Sequence, residues 1–509
     1  MRASSVFRLP CVIFLAAAAV VIPLREIEAA EVPVSDVTQE CLDCHVSSTP
    51  AMVADWKRSR HARITTADAL KKPEPQRLVS ADKIPDKLAG VAVGCAECHM
   101  LNPATHKDTF DHNDHKVHLT VTPKDCTTCH SAEASQYEKN LMSHARVNLA
   151  NNPAYQTLEK AIDGVQSFRD MKTALADPDE KTNSDSCYQC HGTALEITGK
   201  QTRETDQGDM EFLVLSGWPN DGVGRFNPDG SKGSCSPCHP RHEFSITAAR
   251  KPYVCSKCHK GPDVPAYKAY SVSMHGGMFS SLWSEWNFKE VPWTVGKDFV
   301  APTCATCHVS QVVTEDGTVV AKRTHQMSDR LPWRIVGLYY AHAHPKSPDT
   351  SIIRNKDGQP LPTSLDGQPA KDYLITPEEQ TQRRETLQKV CRSCHTAGWV
   401  AGHWERFENT IKTSNEMTLT ATQIMLKAWD EKVADKTNMF DEAIEKKWAE
   451  QWLFFANSTR FASAMMGADF GVFENGRWYM AKNIQEMLDH LKFLMGTKSK
   501  GVQAPSKRR

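Results

Sequence analysis

Long hydrophobic runs are almost missing from this chain, and so are net charge and cysteines outside one repeated pattern. Past Leu24 no stretch is long and apolar enough to suggest a helix across a membrane. The 61 lysines and arginines balance the 61 aspartates and glutamates, which excludes whole-chain electrostatic binding to nucleic acid. Amphipathic periodicity is scarce before about residue 400, so an ordinary core of long packed helices or sheets is not expected there. Something other than side chains has to fill the interior.

The one early apolar run, Cys11–Leu24, follows Arg2 and Arg8 and precedes the small residues Ala29 and Ala30. It is too short for a convincing span and has the layout of an export signal over residues 1–30. Glu28 blurs the cleavage site. The expectation is a chain exported to the periplasm or an equivalent extracytoplasmic compartment, with no membrane span afterwards.

Cys11 belongs to that segment, and the other 16 cysteines fall into eight C-x-x-C-H units. These are Cys41/Cys44/His45, Cys95/Cys98/His99, Cys126/Cys129/His130 and Cys187/Cys190/His191, then Cys235/Cys238/His239, Cys255/Cys258/His259, Cys304/Cys307/His308 and Cys391/Cys394/His395. A disulfide scaffold would not hold every spacing at two residues. Tetrahedral zinc sites use paired C-x-x-C but need no histidine after each second cysteine. Redox disulfides use the motif once or twice. The constant trailing histidine decides among these: two thioethers hold a porphyrin edge while the next residue ligates iron. Eight covalent c-type haems are therefore expected.

Three zones follow. Residues 31–165 carry three motifs between polar, proline-containing loops, and residues 166–400 carry the other five. Residues 401–509 carry none. There MTLTATQIMLKAWDEKVADK, MFDEAIEKKWAEQWLFFANSTRFASAMM and MAKNIQEMLDHLKFLM place apolar residues at three- and four-residue steps with Glu/Lys pairs between. They predict helices bundled against the haem body or against another subunit. The fold class is mainly α: short helices and loops wrapping eight haems, plus a C-terminal helical bundle.

Of 21 histidines, 13 are not in motifs. An electron-transfer haem uses a second axial histidine, whereas a catalytic haem keeps that position open. His61, His144, His242, His275 and His325 each stand singly in packable surroundings and are candidate second ligands. One of His112, His115 and His118, with His118 taken as the candidate, and one of His342, His344 and His403, with His344 taken, complete seven. His106 is unassigned, and His490 in the C-terminal helical region is a surface residue.

Residues 217–277, GWPNDGVGRFNPDGSKGSCSPCHPRHEFSITAARKPYVCSKCHKGPDVPAYKAYSVSMHGG, resemble the octahaem hydroxylamine oxidoreductase family. The motif count and the haem-free helical C-terminus extend the likeness over nearly the whole chain after the export signal. The five-motif zone is also similar in layout to pentahaem nitrite reductases. The resemblance implies a mostly α-helical homotrimer, a catalytic haem at the fourth motif with His191 proximal, and seven bis-histidine haems forming an electron relay. It also implies a distal acid at Asp263, a residue that as a sequence feature could equally cap the loop after Pro262.

Two departures bear on the reaction. Family members that oxidise hydroxylamine or hydrazine carry, in a GPDY-like segment, a tyrosine that bonds to the neighbouring subunit's catalytic macrocycle. Here MMGADFGVFENG has Phe470 at that place, with Tyr479 nine residues on. The family's GPDHPQ reads GPDVPAY, so Val264 replaces a proton-shuttling histidine. Without the cross-link, an open ferrous haem tends to push electrons into its ligand. The expected function is reduction of nitrite, nitric oxide or hydroxylamine, fed by a redox-partner cytochrome or a haem-containing subunit in a stable complex. Hydroxylamine or hydrazine oxidation, and a non-catalytic electron-transfer subunit, are the alternatives. Pyridine haemochrome analysis of the purified protein should return eight c-type haems per chain; seven or fewer would show an unoccupied motif.

Overall fold

The fold is taken from a computed structural model that describes residues 32–501 except 171, 206, 220 and 221. The proposed export signal lies outside the described residues. From residue 32 to about 376 the helices are short, and many are the motifs themselves. Cys95–His99, Cys187–His191 and Cys304–His308 are five-residue helices whose bounds coincide with C-x-x-C-H. A single helical turn is what the motif needs, because residues three and four apart share a face.

So short a helix depends on its ends. Glu97 accepts from the Gly94 N–H at 2.9 Å and from the Thr38 hydroxyl at 2.7 Å, joining the second motif to the helix Asp36–Ser48 that holds the first. Asp125 accepts from the Thr122 N–H at 2.8 Å ahead of the third motif. Thr306 accepts from the Thr303 N–H at 3.0 Å within the seventh. These caps satisfy amides that have no intrahelical partner.

Strand structure is limited to small sheets. Two exposed antiparallel hairpins, Val165–Arg169 with Lys172–Ala176 and Glu196–Thr205 with Gly208–Ser216, flank the fourth motif in sequence. A third hairpin pairs Thr109–His112 with His115–His118 and packs Phe110 near Phe212 of the longer one. Sequence periodicity gave no sign of these arms.

The C-terminal part is helical, as the resemblance implied. Pro377–Arg392 leads into the eighth motif, and the 34-residue helix Ala397–Asp430 follows. Ala443–Glu450 continues through a π-helical turn, Gln451–Phe455, into Ala456–Met465; Arg477–Gly501 closes the chain. Here the protein has a conventional core: Tyr339, Met425, Phe440, Ile444, Trp448, Trp452 and Met487 are fully or almost fully buried together. Trp429 and Trp448 donate inward, to Glu445 at 2.8 Å and to Thr422 at 2.9 Å.

The bundle is tied to the motif-bearing part by a buried cation. Arg460, fully buried, donates to Ser414 (2.9 Å), Asn415 (2.7 Å), Asn457 (3.2 Å) and the Ile335 carbonyl (3.2 Å). Asn415 in turn exchanges hydrogen bonds with both backbone groups of Ala341. The loop 335–341 is thereby held against the long helix.

Glu445 supplies a pH test of the bundle. Burial is the main cause that raises its carboxyl from 4.5 to about 7, opposed by the Trp429 hydrogen bond. A carboxyl with a raised folded-state pKa binds its proton more tightly when folded. Its stabilising contribution is full below about 4.5 and is lost as pH rises through about 7. Melting of the C-terminal helices followed by circular dichroism should therefore weaken from pH 5 to pH 8, and Glu445→Gln should remove on the order of 2 kcal/mol of that dependence. An unchanged pH profile in the variant would refute the assignment.

Candidate haem motifs and reaction site

The motifs surround one cavity of about 1960 Å³, roughly twice the upper end of ordinary small-molecule pockets. The second to eighth motifs contribute to its wall, the second through Cys98 and the others with His130, His191, His239, His259, His308 and His395. All 16 motif cysteines are free thiols. The thiol of Cys41 lies against Cys95, Cys126 against Cys235, Cys190 against Cys258 and Cys255 against Cys304. Cys98 is within charge range of Cys129, Cys238 of Cys255, and Cys307 of Cys391 and Cys394. Followed through these contacts, the motifs run first, second, third, fifth, sixth, seventh, eighth, and the fourth branches from the sixth.

Cys44 is placed differently from most motif cysteines. It is exposed and lies off the cavity wall, whereas Cys394, the other exposed motif cysteine, still lines it. Its helix, Asp36–Ser48, stands at one end of the motif series. Cys41, three residues earlier, is turned toward Cys95, and Cys44 is left on the solvent side. A haem held by Cys41 and Cys44 would have its Cys44 edge open to water.

The motif histidines are oriented as metal ligands would be. His45 Nδ1 lies 2.8 Å from the Thr49 hydroxyl, His99 Nδ1 2.8 Å from the His118 carbonyl, His130 Nδ1 3.2 Å from the Leu78 carbonyl, and His191 Nδ1 3.2 Å from the Ala145 carbonyl. The backbone of Met327 also hydrogen-bonds His308. A bond at Nδ1 fixes the tautomer and leaves Nε2 free for a metal. Burial holds His191 below its ordinary pKa and brings His239 and His308 to about 4, so the rings stay neutral, the form that binds metal.

Facing rings give a second test. Two metal–imidazole bonds of about 2 Å, back to back, put ring centroids about 6 Å apart. His112 lies 6.1 Å from His45, His61 6.2 Å from His130, His325 6.4 Å from His239, and His275 6.0 Å from His395. His118 also lies 6.0 Å from His99, but it meets the Nδ1 edge through its own carbonyl and stacks on His106 at 3.5 Å. On another side of His99, within charge range, is His242. The free cysteines, the anchored rings and these spacings fit covalent haem at the motifs.

The remaining histidines divide by position. His344 and His403 line the cavity, and both nitrogens of buried His344 lack a partner. His144 points Nε2 at the Glu138 carbonyl, 3.2 Å away. His106 sits between Asp108 and Asp125, His115 bonds Glu40, and His342 bonds the Ala343 carbonyl through Nδ1.

The surroundings of the fourth motif differ from the rest. Asp263 is within charge range of His191, His259 and Cys190. It sits on a tight turn in which Gly261 has φ +34° and a Cβ there would come within 2.5 Å of the Val264 nitrogen. Asn457 of the C-terminal bundle donates to the Asp263 carbonyl at 3.1 Å and also bonds Arg460. A second charge, Arg334, lines the same cavity and also acts on His191. On the other side Asp163 accepts from Ser186 and contacts the Cys187 thiol at 3.4 Å, while Tyr188 donates to Glu159 at 3.3 Å. Phe470 lies in the π-helical turn Phe470–Glu474 and Tyr479 stacks on Phe455; neither lines the cavity within the chain.

Sequence reasoning missed Arg334 and the Nδ1 acceptors, and it left His112 among the candidate second ligands. Those acceptors stand up to 52 residues from their histidines, and no local pattern marks a carbonyl.

Residues 228–329 match a family described as seven-times multi-haem cytochrome CxxCH, and residues 125–211 match cytochrome c554 and c-prime. A solved structure titled "Hypothetical multiheme protein" is 38% identical, with a TM-score of 0.86, over 94% of this chain and 100% of that one. The chain belongs to the multihaem c-type cytochromes. A probable nitrite reductase-hydroxylamine oxidoreductase fusion protein of Kuenenia stuttgartiensis is 25% identical over 384 residues, 72% of this chain. This cytochrome spans 34% of that relative's length. The fold is shared with a reducing HAO-like protein complex of the same organism, at 17% identity and a TM-score of 0.58 over 91% of the chain. Among the described residues no helix is long and apolar enough to cross a membrane.

The ring edges they meet, not their spacings, separate two neighbouring histidines. His112→Ala should produce a new high-spin ferric signal at room temperature and cyanide binding by one more haem. His118→Ala should produce neither, apart from a loss of stability from the buried cluster around His106. The reverse result would exchange their roles.

Proposed function

We propose that this cytochrome binds eight c-type haems and reduces nitrite, nitric oxide or hydroxylamine at its fourth motif. The observation that carries this reading is Asp263 beside His191, an acid on the cavity wall next to the fourth motif. When bound, c-type haems supply an electron relay and, where the second axial place is free, a position for a small nitrogen ligand. We assign His112, His242, His61, His325 and His275 as second ligands opposite His45, His99, His130, His239 and His395. The second ligands of His259 and His308 come from His144, His344 and His403 in this assignment, and His191 is given none.

The chain's own part is positioning and proton supply. The Ala145 carbonyl orients His191, and Asn457 holds the Asp263 turn. Asp263 holds the proton that reduction consumes: hydroxylamine takes up two electrons and two protons to give ammonia and water. Val264 leaves that task without the family's histidine, a loss on the order of 100-fold where such a group acts alone. Phe470 has no phenol oxygen to join a macrocycle, which favours reduction over oxidation. We further propose an exported, homotrimeric protein that receives electrons from a cytochrome partner.

The test is spectroscopic and kinetic. The reduced protein should bind nitric oxide at one haem, lack the extra long-wavelength band of a cross-linked macrocycle, and reduce hydroxylamine or nitrite with a strong reductant while oxidising hydroxylamine slowly. Asp263→Asn should lower reductive kcat about 100-fold with the haem count unchanged. Eight low-spin haems that ignore nitric oxide would instead mark a non-catalytic electron carrier. A cross-link at the Cys187–His191 peptide would restore the oxidative reading.

A further inference from the structure

The cavity wall beside the fourth motif carries a cation that no carboxylate neutralises. Arg334 follows Trp333 in a two-residue strand whose partner is His342–Ala343, with Arg334 opposite His342. Its Nε donates to the Val336 carbonyl at 2.9 Å, which fixes the plane of the guanidinium. Trp333 is anchored beside it through Nε1 to Glu408 at 3.3 Å. Among the described residues no Asp or Glu oxygen lies within ion-pair distance of Arg334, whereas Arg323 on the same cavity wall is paired with Glu133. Its charge is felt by His191, by His342 and by His344. The guanidinium lines the main cavity together with His191 and Asp263.

Arg334 is half-buried, and a cation partly shielded from water without a counter-charge favours an anion beside it. Something anionic is expected to complete the site. A guanidinium held at Nε still offers its Nη donors as a planar fork, the geometry that suits two oxygens on one centre. We propose that Arg334 is the anion-binding residue of the fourth-motif site, and that its substrate class is a small planar oxyanion, nitrite ahead of neutral hydroxylamine. This rests on the reductive reading above and adds a selectivity to it. Asp263 and Arg334 then divide the work: the carboxyl carries a proton and the guanidinium holds the oxygens that protonation removes. Neutral hydroxylamine gains little from the charge. A haem carboxylate offers the same chemistry as nitrite, and the experiment has to separate the two.

The haem-loaded full chain is compared with Arg334→Gln and Arg334→Lys at equal haem count. Optical titration of the ferric protein with nitrite gives a Kd independent of turnover. Charge-assisted hydrogen bonds of this kind correspond to roughly a 10- to 100-fold weakening when removed. The glutamine variant should weaken nitrite binding by that factor and raise the nitrite KM in step. The lysine variant should fall between, and KM for hydroxylamine should stay within about twofold. Should the glutamine variant load haem poorly, the lysine variant carries the comparison. Nitrite Kd unchanged in both variants overturns the proposal, and a shifted midpoint potential of one haem in that case assigns Arg334 to a haem carboxylate. A parent protein that neither binds nor reduces nitrite, nitric oxide or hydroxylamine would sink the reductive function itself.

Discussion

The constraint behind this structure is a histidine ring fixed at one nitrogen and free at the other. His45, His99, His130 and His191 are each held at Nδ1 by a hydroxyl or a main-chain oxygen, and the Met327 backbone bonds His308. Each anchor has to come from a segment that passes close behind its motif, so the path of the chain is set by where those oxygens must be. Loops that would otherwise be free to wander are pinned: Ala145 behind the fourth motif, Leu78 behind the third, Met327 behind the seventh. The short helices, their caps and the large cavity follow from the same requirement, because a chain that leaves Nε2 free around a common space cannot also fill that space with side chains.

The C-terminal bundle has a role that its lack of motifs conceals. Asn457 bonds both the Asp263 carbonyl and Arg460, and Arg460 bonds the carbonyl of Ile335, next to Arg334. One helix, Ala456–Met465, therefore touches the backbone on either side of the proposed reaction site. Because Arg460 is fully buried and satisfied by four neighbours, a shift of that helix would break hydrogen bonds to charge inside the protein, where they are hardest to replace. The bundle so fixes the spacing of the acid and the cation.

Much of this was legible in the chain. The C-x-x-C-H repeats gave the cofactor class directly, since the chemistry of attachment sets the spacing. The helices after residue 400 were legible from ordinary amphipathic steps, because there side chains really do form the core around Trp448 and Trp452. What was not legible lies in contacts of long range. The motif spacing treats Cys44 like its 15 counterparts, and only the placement of its helix shows that it faces solvent. The exposed hairpins around residues 165–176 and 196–216 bury little, so they leave no alternation to detect. His112 and His118 stand six residues apart on one hairpin, both near motif histidines. Only the edge of the ring that each one meets tells them apart, and sequence carries no sign of that. Arg334 looked like one basic residue among many until its place on the cavity wall with His191 and Asp263 set it apart.

The two departures from the hydroxylamine oxidoreductase pattern act on one site in compatible directions. Phe470 removes the phenol that a macrocycle cross-link requires, and Val264 removes a titrating group from the turn that carries Asp263. An enzyme drawing protons and electrons out of its substrate needs a base that releases protons readily, and a shuttle histidine near neutral pH suits that task. A site that delivers protons to oxygen atoms about to leave as water needs an acid close to those oxygens and a charge to hold them. Asp263, with Arg334 on the same cavity wall, meets that description with no histidine at all. The turn's replacement of histidine by valine is then consistent with a change in the direction of proton flow, and the loss of catalysis is not needed to explain it.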